Sequence, residues 1–205
     1  MSTETATMVW TSRTGAHGSP SCELDSLLAQ ARRGDPRAFD RLMQRHERQV
    51  YGTARRLLGR SEDAQDAAQE VFLRLYRFLD RIEPRRPLAP WLYRVTVNVC
   101  RDLGRRRRLR RTVPLEEAEL EAVAAGSDPA ARAALREEKR IVEEALASLS
   151  DKERAALVLR DVEGLPTEEV AEILGSSPPT VRSQICRARL KIRQFRQRRL
   201  KGTLP

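Results

Sequence analysis

The sequence predicts an all-α chain: two small helical domains joined by a flexible linker, the second containing a helix-turn-helix. Three observations carry this expectation. Apolar residues recur at helical spacing through most of the chain, and no segment alternates with period two for long. Residues 112–131 break that pattern with a cluster of Glu116, Glu117, Glu119 and Glu121, followed by Ala, Gly and Asp128-Pro129. Residues 164–190, GLPTEEVAEILGSSPPTVRSQICRARL, set two short helical patterns around a glycine, with arginines opposite the apolar stripe of the second.

Taken in order, residues 1–22 are rich in Ser, Thr and Gly and read as a disordered tail. A first domain then spans 23–111. Leu24, Leu27, Leu28 and Ala31 make one short stripe that ends near Gly34-Asp35-Pro36. Phe39, Leu42, Met43, Val50, Tyr51, Ala54, Leu57 and Leu58 make a longer one, stopped by Gly59. Ser61 is expected to cap a third helix that buries Ala64, Ala67, Ala68, Val71, Phe72, Leu75 and Leu79. A loop with three prolines covers 81–90, and a fourth helix begins near Pro90-Trp91 and runs into the arginines 105–108.

Beyond the linker, 112–131, a second domain covers 132–195. Leu135, Ile141, Val142, Ala145, Leu146 and Leu149 keep helical spacing. Ser150 with Glu153 has the form of a capping box for a helix over 151–162. In the helix-turn-helix, Val170, Ala171 and Leu174 face inward, and Gly175 supplies the left-handed residue that ends the first helix. Ser177 suits the N-cap of the second helix and Pro178 its first turn. Val181, Ile185, Ala188 and Ile192 repeat at 4, 3 and 4 and mark the buried stripe. A basic tail, 196–205, ends the chain, and the whole of 193–205 is expected to fray.

The formal net charge is +10 and the pI about 10.4, which favours a polyanionic partner. The cations are almost all arginine, with Lys139, Lys152, Lys191 and Lys201 the exceptions. Arginine grips phosphate with a planar fork; a GC-rich coding sequence gives the same bias, and both explanations stand. Short apolar runs exclude a membrane span, and the N-terminus lacks the basic start and apolar core of a secretory signal. Cys22, Cys100 and Cys186 are odd in number and unpatterned, which fits a reducing cytosol. His17 and Cys22 are two potential ligands in a flexible tail, too few for a metal site. No nucleophile elbow, P-loop, dinucleotide or zinc-protease motif is present. The expectation is therefore no enzyme, no cofactor and no metal.

Three segments carry recognition chemistry. On the outer face of the last helix, Pro179, Thr180, Arg182, Ser183, Cys186 and Arg187 are presented, with Arg189 at the rim. Arg182 and Arg187 suit guanine edges or phosphates, and Arg189 phosphate. The plain alternative is a helical hairpin with a solvated basic face. In PWLYRVTVNVCRDLGRRRRLRR, residues 90–111, seven arginines fall between Arg101 and Arg111. Trp91 and Tyr93 beside them can stack unpaired bases while charge holds the backbone. The alternatives are a merely solvated run and a tryptophan anchored in the core. In SEDAQDAAQEVFLRLYRFL, residues 61–79, Glu62, Asp66, Gln69, Leu73 and Arg77 share the outer face. An apolar Leu73 behind carboxylates suggests docking onto a basic protein groove; a solvated amphipathic helix with one stray leucine is the alternative.

In this order the three segments resemble the extracytoplasmic-function (ECF) sigma factors of bacterial RNA polymerase. DAQDAAQEVFLRLY, residues 63–76, resembles the family's core-polymerase-binding helix. PWLYRVTVNVCRDLGRRRR, residues 90–108, resembles its promoter-melting and -10-recognition helix, and residues 149–193 its -35-recognition domain. The resemblance covers nearly everything from Leu24 to Arg193. It implies that Asp66, Gln69, Glu70 and Leu73 meet the clamp helices of the largest polymerase subunit. It implies that loop 81–90 holds a flipped base of the -10 element. It implies that Trp91, Tyr93, Arg94, Asn98, Arg101, Arg105 and Arg106 hold neighbouring bases and phosphates. It also implies that Pro179, Thr180, Arg182, Ser183, Arg187 and Arg189 meet the -35 element, and that the second domain sits on the flap of the other large subunit. An anti-sigma partner and a cytoplasmic, nucleoid-associated location follow from the same resemblance. Pro179 stands where the family usually has glycine, Ser176 where it has an aliphatic residue and Pro166 where serine is common. These departures bear on upstream sequence preference. The linker permits two-element reading: residues 112–131 fully extended span at most about 66–72 Å, roughly two DNA turns of about 34–36 Å. From the residues alone, a standalone dimeric helix-turn-helix regulator stays open as an alternative.

Overall fold

The structure is a computed structural model and describes residues 20–82, 87–110 and 129–200, with Gly202. Residues 1–19, 83–86 of the proline loop, 111–128, 201 and 203–205 lie outside the described residues; α1 takes up Pro20–Cys22, the last residues of the segment 1–22 expected to be a disordered tail. Among those described, every regular element is helical: α1 Pro20–Arg32, α2 Pro36–Leu58, α3 Ser61–Phe78, α4 Leu88–Arg110, α5 Pro129–Ala147, α6 Asp151–Leu157, α7 Thr167–Leu174 and α8 Pro178–Leu200.

Local chemistry sets the boundaries. Asp35 caps α2 by accepting the N–H of Arg37 at 2.9 Å, with Pro36 in the first turn. Gly59, at φ 81°, ends α2 in the left-handed region and donates its N–H to the carbonyl of Arg55. Ser61 does not cap α3. It is the first helical residue, Arg60 occupies the cap without a side-chain bond, and the carboxylates Glu62 and Asp63 face the helix N-terminus instead. α4 starts at Leu88, before the expected Pro90, because a proline is tolerated inside a first turn, where its missing N–H has no partner to lose. α5 likewise starts at Pro129, taking the last residues assigned to the linker.

The first bundle closes around Leu42, Val50, Val71, Leu75 and Leu92, all fully buried, with α1 covering one side through Leu27, Leu28 and Ala31. The second gathers Leu149, Ala156, Leu157, Leu159, Val170, Val181, Ile185 and Ala188. Two residues of α4, Tyr93 and Val97, belong to this second cluster, so the cores meet along that helix.

The capping box predicted at Ser150 is complete: the Glu153 carboxylate accepts the Ser150 N–H at 3.0 Å, and the Ser150 hydroxyl accepts the Glu153 N–H at 3.4 Å. The helix predicted over 151–162 changes pitch. Beyond Leu157 the backbone widens into a π turn, Val158–Val162, in which the N–H of Glu163 reaches back to the carbonyl of Val158 at 3.0 Å. The basic segment expected to fray from residue 193 instead continues α8 to Leu200. Arg199 pins it to α5 through Glu144 at 2.8 Å and through Glu137.

Glu153 also receives the Lys191 ammonium at 2.7 Å, tying α6 to α8. That ammonium first, then the Ser150 bonds, outweigh burial and hold the carboxyl down to about 2. A depressed carboxyl stabilises the fold above its unfolded value and loses that stabilisation as pH falls toward its folded value. Between pH 7 and pH 3 the wild type should therefore lose about 1–2 kcal/mol more stability than Glu153→Gln. Urea unfolding at the two pH values reads the difference, and equal losses refute the assignment.

Candidate nucleic-acid interface

Gly175 shapes the helix-turn-helix. At φ 61° and ψ 46° it adopts the left-handed form, and the Ser176 N–H behind it bonds the carbonyl of Ala171 at 2.8 Å. Ser177 stands just before α8, its hydroxyl 2.8 Å from that of Thr180 and 3.4 Å from the Thr180 N–H. Val170, Ala171 and Ile173 pack on Val181, Ile185 and Ala188, while Leu174 and Ile192 are only half-buried. This packing turns Pro179, Thr180, Arg182, Ser183, Cys186 and Arg187 outward, and all are exposed. Arg182 lies 3.4 Å from Glu168, both well exposed, and such a pair is worth about 0–1 kcal/mol. Arg187 folds back on the Ser183 hydroxyl at 3.1 Å. Neither contact holds its guanidinium firmly. Arg189 differs: it is bidentate to Asp161 at 2.7 and 2.9 Å, across to the turn before α7.

On α4, Arg94, Asn98, Arg101 and Arg105 recur at 4, 3 and 4 and share a face. Asn98, Arg105 and Arg106 are exposed, and Arg101 is half-buried. Trp91 is half-buried against the first core. Tyr93 is buried in the second core, and its hydroxyl donates to Glu163 at 2.9 Å. Burial first, then Glu163, raises the phenol further above its ordinary value and keeps it protonated. Arg94 donates to the carbonyl of Glu172 at 2.5 Å. Tyr93 and Arg94 are thus engaged by the second bundle rather than presented to solvent.

On α3, Asp66, Gln69 and Leu73 are exposed along one face, whereas Glu70 is half-buried and paired with Arg74 at 2.7 Å. Tyr76, 64% exposed and three positions on from Leu73, extends the apolar surface that Leu73 begins, whereas Phe78 lies under the Arg81 guanidinium at 5.4 Å. Tyr76 packs edge-on to Phe39 with ring centroids 5.3 Å apart. Helical spacing alone could have placed Tyr76 beside Leu73, and the expected outer face of α3 left it out. Among the described residues no cluster of His, Cys, Asp and Glu converges to hold a metal ion, and no helix is long and apolar enough to cross a membrane.

Comparison with known proteins fits this layout. The Sigma-70 region 2 family matches residues 42–112, most of the first bundle, and the Sigma-70, region 4 family matches residues 139–192, most of the second. The ECF RNA polymerase sigma factor SigM of Mycobacterium tuberculosis is 36% identical over 166 residues, 81% of each chain. The chain belongs to the ECF sigma factors. This sigma factor is also 34% identical to the sigma factor CnrH of Cupriavidus metallidurans, across 81% of its own length and 90% of the relative's. A solved structure of CnrH in complex with the cytosolic domain of CnrY superposes with a TM-score of 0.64 at 29% identity, covering 85% of this chain and 97% of that one. The sigma factor RpoE, solved with the anti-sigma factor NepR from Bartonella quintana, shares the fold at a TM-score of 0.62 and 21% identity, over 78% and 96% of the two chains.

The two described free thiols of this sigma factor sit in opposite environments. Cys186 is exposed on the α8 face, whereas Cys100 is buried and burial pushes its thiol up to about 12. Iodoacetamide on the folded protein should modify Cys186 and spare Cys100, as read by peptide mass spectrometry. Equal modification of both before unfolding would contradict this arrangement.

Proposed function

We propose that this sigma factor is a dissociable, non-catalytic subunit that gives RNA polymerase its promoter choice in the cytoplasm. The first bundle, residues 23–111, docks on the polymerase and captures the -10 element. The second, residues 132–195, reads the -35 element. The observation that carries this reading is the joint exposure of two faces in one chain: Arg182 and Arg187 on α8, and Asp66, Gln69 and Leu73 on α3.

The roles follow from the chemistry of each group. Arg182 and Arg187 can each give a guanine edge a bidentate pair, worth about 1–3 kcal/mol of discrimination. Pro179, Thr180 and Ser183 line the same face, and Arg189 supplies phosphate charge once it leaves Asp161. On α4, Asn98, Arg101, Arg105 and Arg106 hold bases and phosphates of the opened strand, and Trp91, Tyr93 and Arg94 lie next to the base that leaves the stack. Asp66, Gln69, Glu70 and Leu73 meet the clamp helices of the largest polymerase subunit, with Tyr76 beside them. A protein partner that covers these faces completes the proposal; the relative CnrH has been solved in complex with the cytosolic domain of CnrY.

The test is transcription by core polymerase with this chain on a randomised promoter library, followed by sequencing of the transcripts. A shared pair of upstream elements is expected. Start sites without one, or a palindromic half-site bound without polymerase, would refute the reading in favour of a dimeric regulator. Arg182→Ala should reduce use of the upstream element about tenfold or more while leaving core binding intact. Leu73→Asp should do the reverse, weakening core binding in a pull-down without altering the folded helix content.

A further inference from the structure

α8 does not stop where the family does. The region 4 family ends its match at residue 192, whereas α8 runs unbroken from Pro178 to Leu200. Residues 193–200 add about 12 Å of helix, at about 1.5 Å per residue. One side of this added length is committed to the fold. Arg199 pairs with Glu144 at 2.8 Å and with Glu137, and Arg140 grips the same two carboxylates of α5 at 2.8 and 2.9 Å. Phe195 is half-buried. The other side is not committed. Arg193 and Arg198 are exposed and make no ion pair or hydrogen bond with the described residues. They repeat an arrangement already on the helix: Arg193 stands eleven positions after Arg182, and Arg198 eleven after Arg187. Eleven residues make three helical turns with about 20° of drift. Each later arginine therefore lies on the same line of the surface, about 16 Å further along. Cations in the last turn of a helix can serve its dipole alone. That accounts for Arg198, which lies in that turn, and not for Arg193. Arg193 follows Arg189 by four positions, a like-charge spacing that costs helix stability.

We propose that the end of α8 is a second DNA-contact surface, on which Arg193 and Arg198 grip phosphates of the duplex backbone beside the groove that Arg182 and Arg187 enter. This rests on the reading of the α8 face given under the proposed function and extends it past the family match. Geometry separates the two pairs by role. A helix in the major groove meets base edges with its N-terminal residues, and the groove is about 12 Å wide. A second pair about 16 Å further along the helix clears the groove and comes level with the backbone that borders it. A guanidinium there suits phosphate, and the contact carries no sequence information. The charge is one-sided, because α8 contains no Asp or Glu at all. The anchor on α5 favours the contact as well. A side chain presented by a fixed helix loses less freedom on binding than one on a frayed tail.

The full-length chain, titrated against a labelled random-sequence duplex at salt concentrations between about 50 and 200 mM, tests the surface. The slope of log affinity against log salt should fall by about 0.9 in Arg193→Gln, by as much in Arg198→Gln, and by about 1.8 in the double variant. At the lower salt the double variant should bind at least about fivefold more weakly. Arg33→Gln with Arg41→Gln removes the same charge from exposed positions of the first bundle and should leave the slope unchanged. A duplex drawn from the promoter library should lose affinity in the same proportion as the random one, because phosphate contacts weaken binding uniformly across sequences. Helix content and Tm should match the wild type. A lower Tm would make the two arginines parts of the fold and overturn the proposal. So would an unchanged slope in the double variant, an equal fall in the control, or a wild type that binds no duplex. Lost affinity for polyglutamate with duplex affinity retained would assign the face to an acidic protein and overturn it too. A library that yields no shared pair of elements would strike the sigma reading and leave the salt slopes standing.

Discussion

Everything in this molecule depends on α4 serving two cores at once. A helical bundle of this size buries too little apolar surface to be stable with much to spare. α4 answers by giving Leu92, Val99 and Cys100 to the first bundle and Tyr93 and Val97 to the second. A helix with two apolar faces has little surface left for solvent along its first half. Its exposed positions are confined to Asn98 and the arginine-rich second half, Arg105 and Arg106 among them. The same constraint makes the Tyr93 hydroxyl a buried donor, and a buried donor needs an acceptor. Glu163 is that acceptor. The polar contact at Glu163 is thus a consequence of the apolar packing.

The arginines that dominate the composition divide into kinds that the sequence does not distinguish. Arg154 is structural: it donates to the carbonyls of Leu146, Ala147 and Leu149 at the end of α5, groups that a helix C-terminus leaves without partners, and to Leu57 across the interface. Arg107 is fixed to Asp63 at 2.7 Å and ties α4 to the start of α3. Arg182 and Arg187 hold only long or local contacts on an open face. Exposed pairs contribute so little that exchanging them for phosphate costs almost nothing, while each phosphate contact releases counterions. Net charge points to a polyanion; packing decides which arginines are free to meet it.

This division explains what could be read from the residues and what could not. Helical spacing located α1 to α8, because a buried face repeats within a few residues. The Ser150–Glu153 box and Gly175 were legible for the same reason, since a cap is chemistry among neighbours. The outer face of α8 followed once its buried stripe was fixed. Glu163 and Thr53 were not legible. They lie 110 positions apart, and only tertiary packing brings them to 2.9 Å. Thr53 does leave a trace, a hydroxyl inside the stripe of Val50, Ala54 and Leu57, and such a position calls for a partner from elsewhere in the fold. The continuation of α8 to Leu200 was missed for a related reason: Arg199 finds its carboxylates on α5, not on its own helix.

The contact between the two bundles is polar at Glu163, which accepts from Thr53, Arg56 and Tyr93, and apolar beside it. A hydrogen bond to a charged group contributes about 1.5–3 kcal/mol net, and three bonds on one carboxylate contribute less than their sum because they share its charge. A purely apolar seam of equal strength would leave exposed apolar surface when opened. Here the parting groups are a carboxylate, two hydroxyls and a guanidinium, all of which water solvates well. Tyr93 and Val97, with Leu57 and Ala89 beside them, add apolar contact from the first bundle, and Tyr93 and Val97 sit on the helix that, under the proposed function, meets unpaired bases. Aromatic stacking of about 1–3 kcal/mol per base matches only part of such a contact.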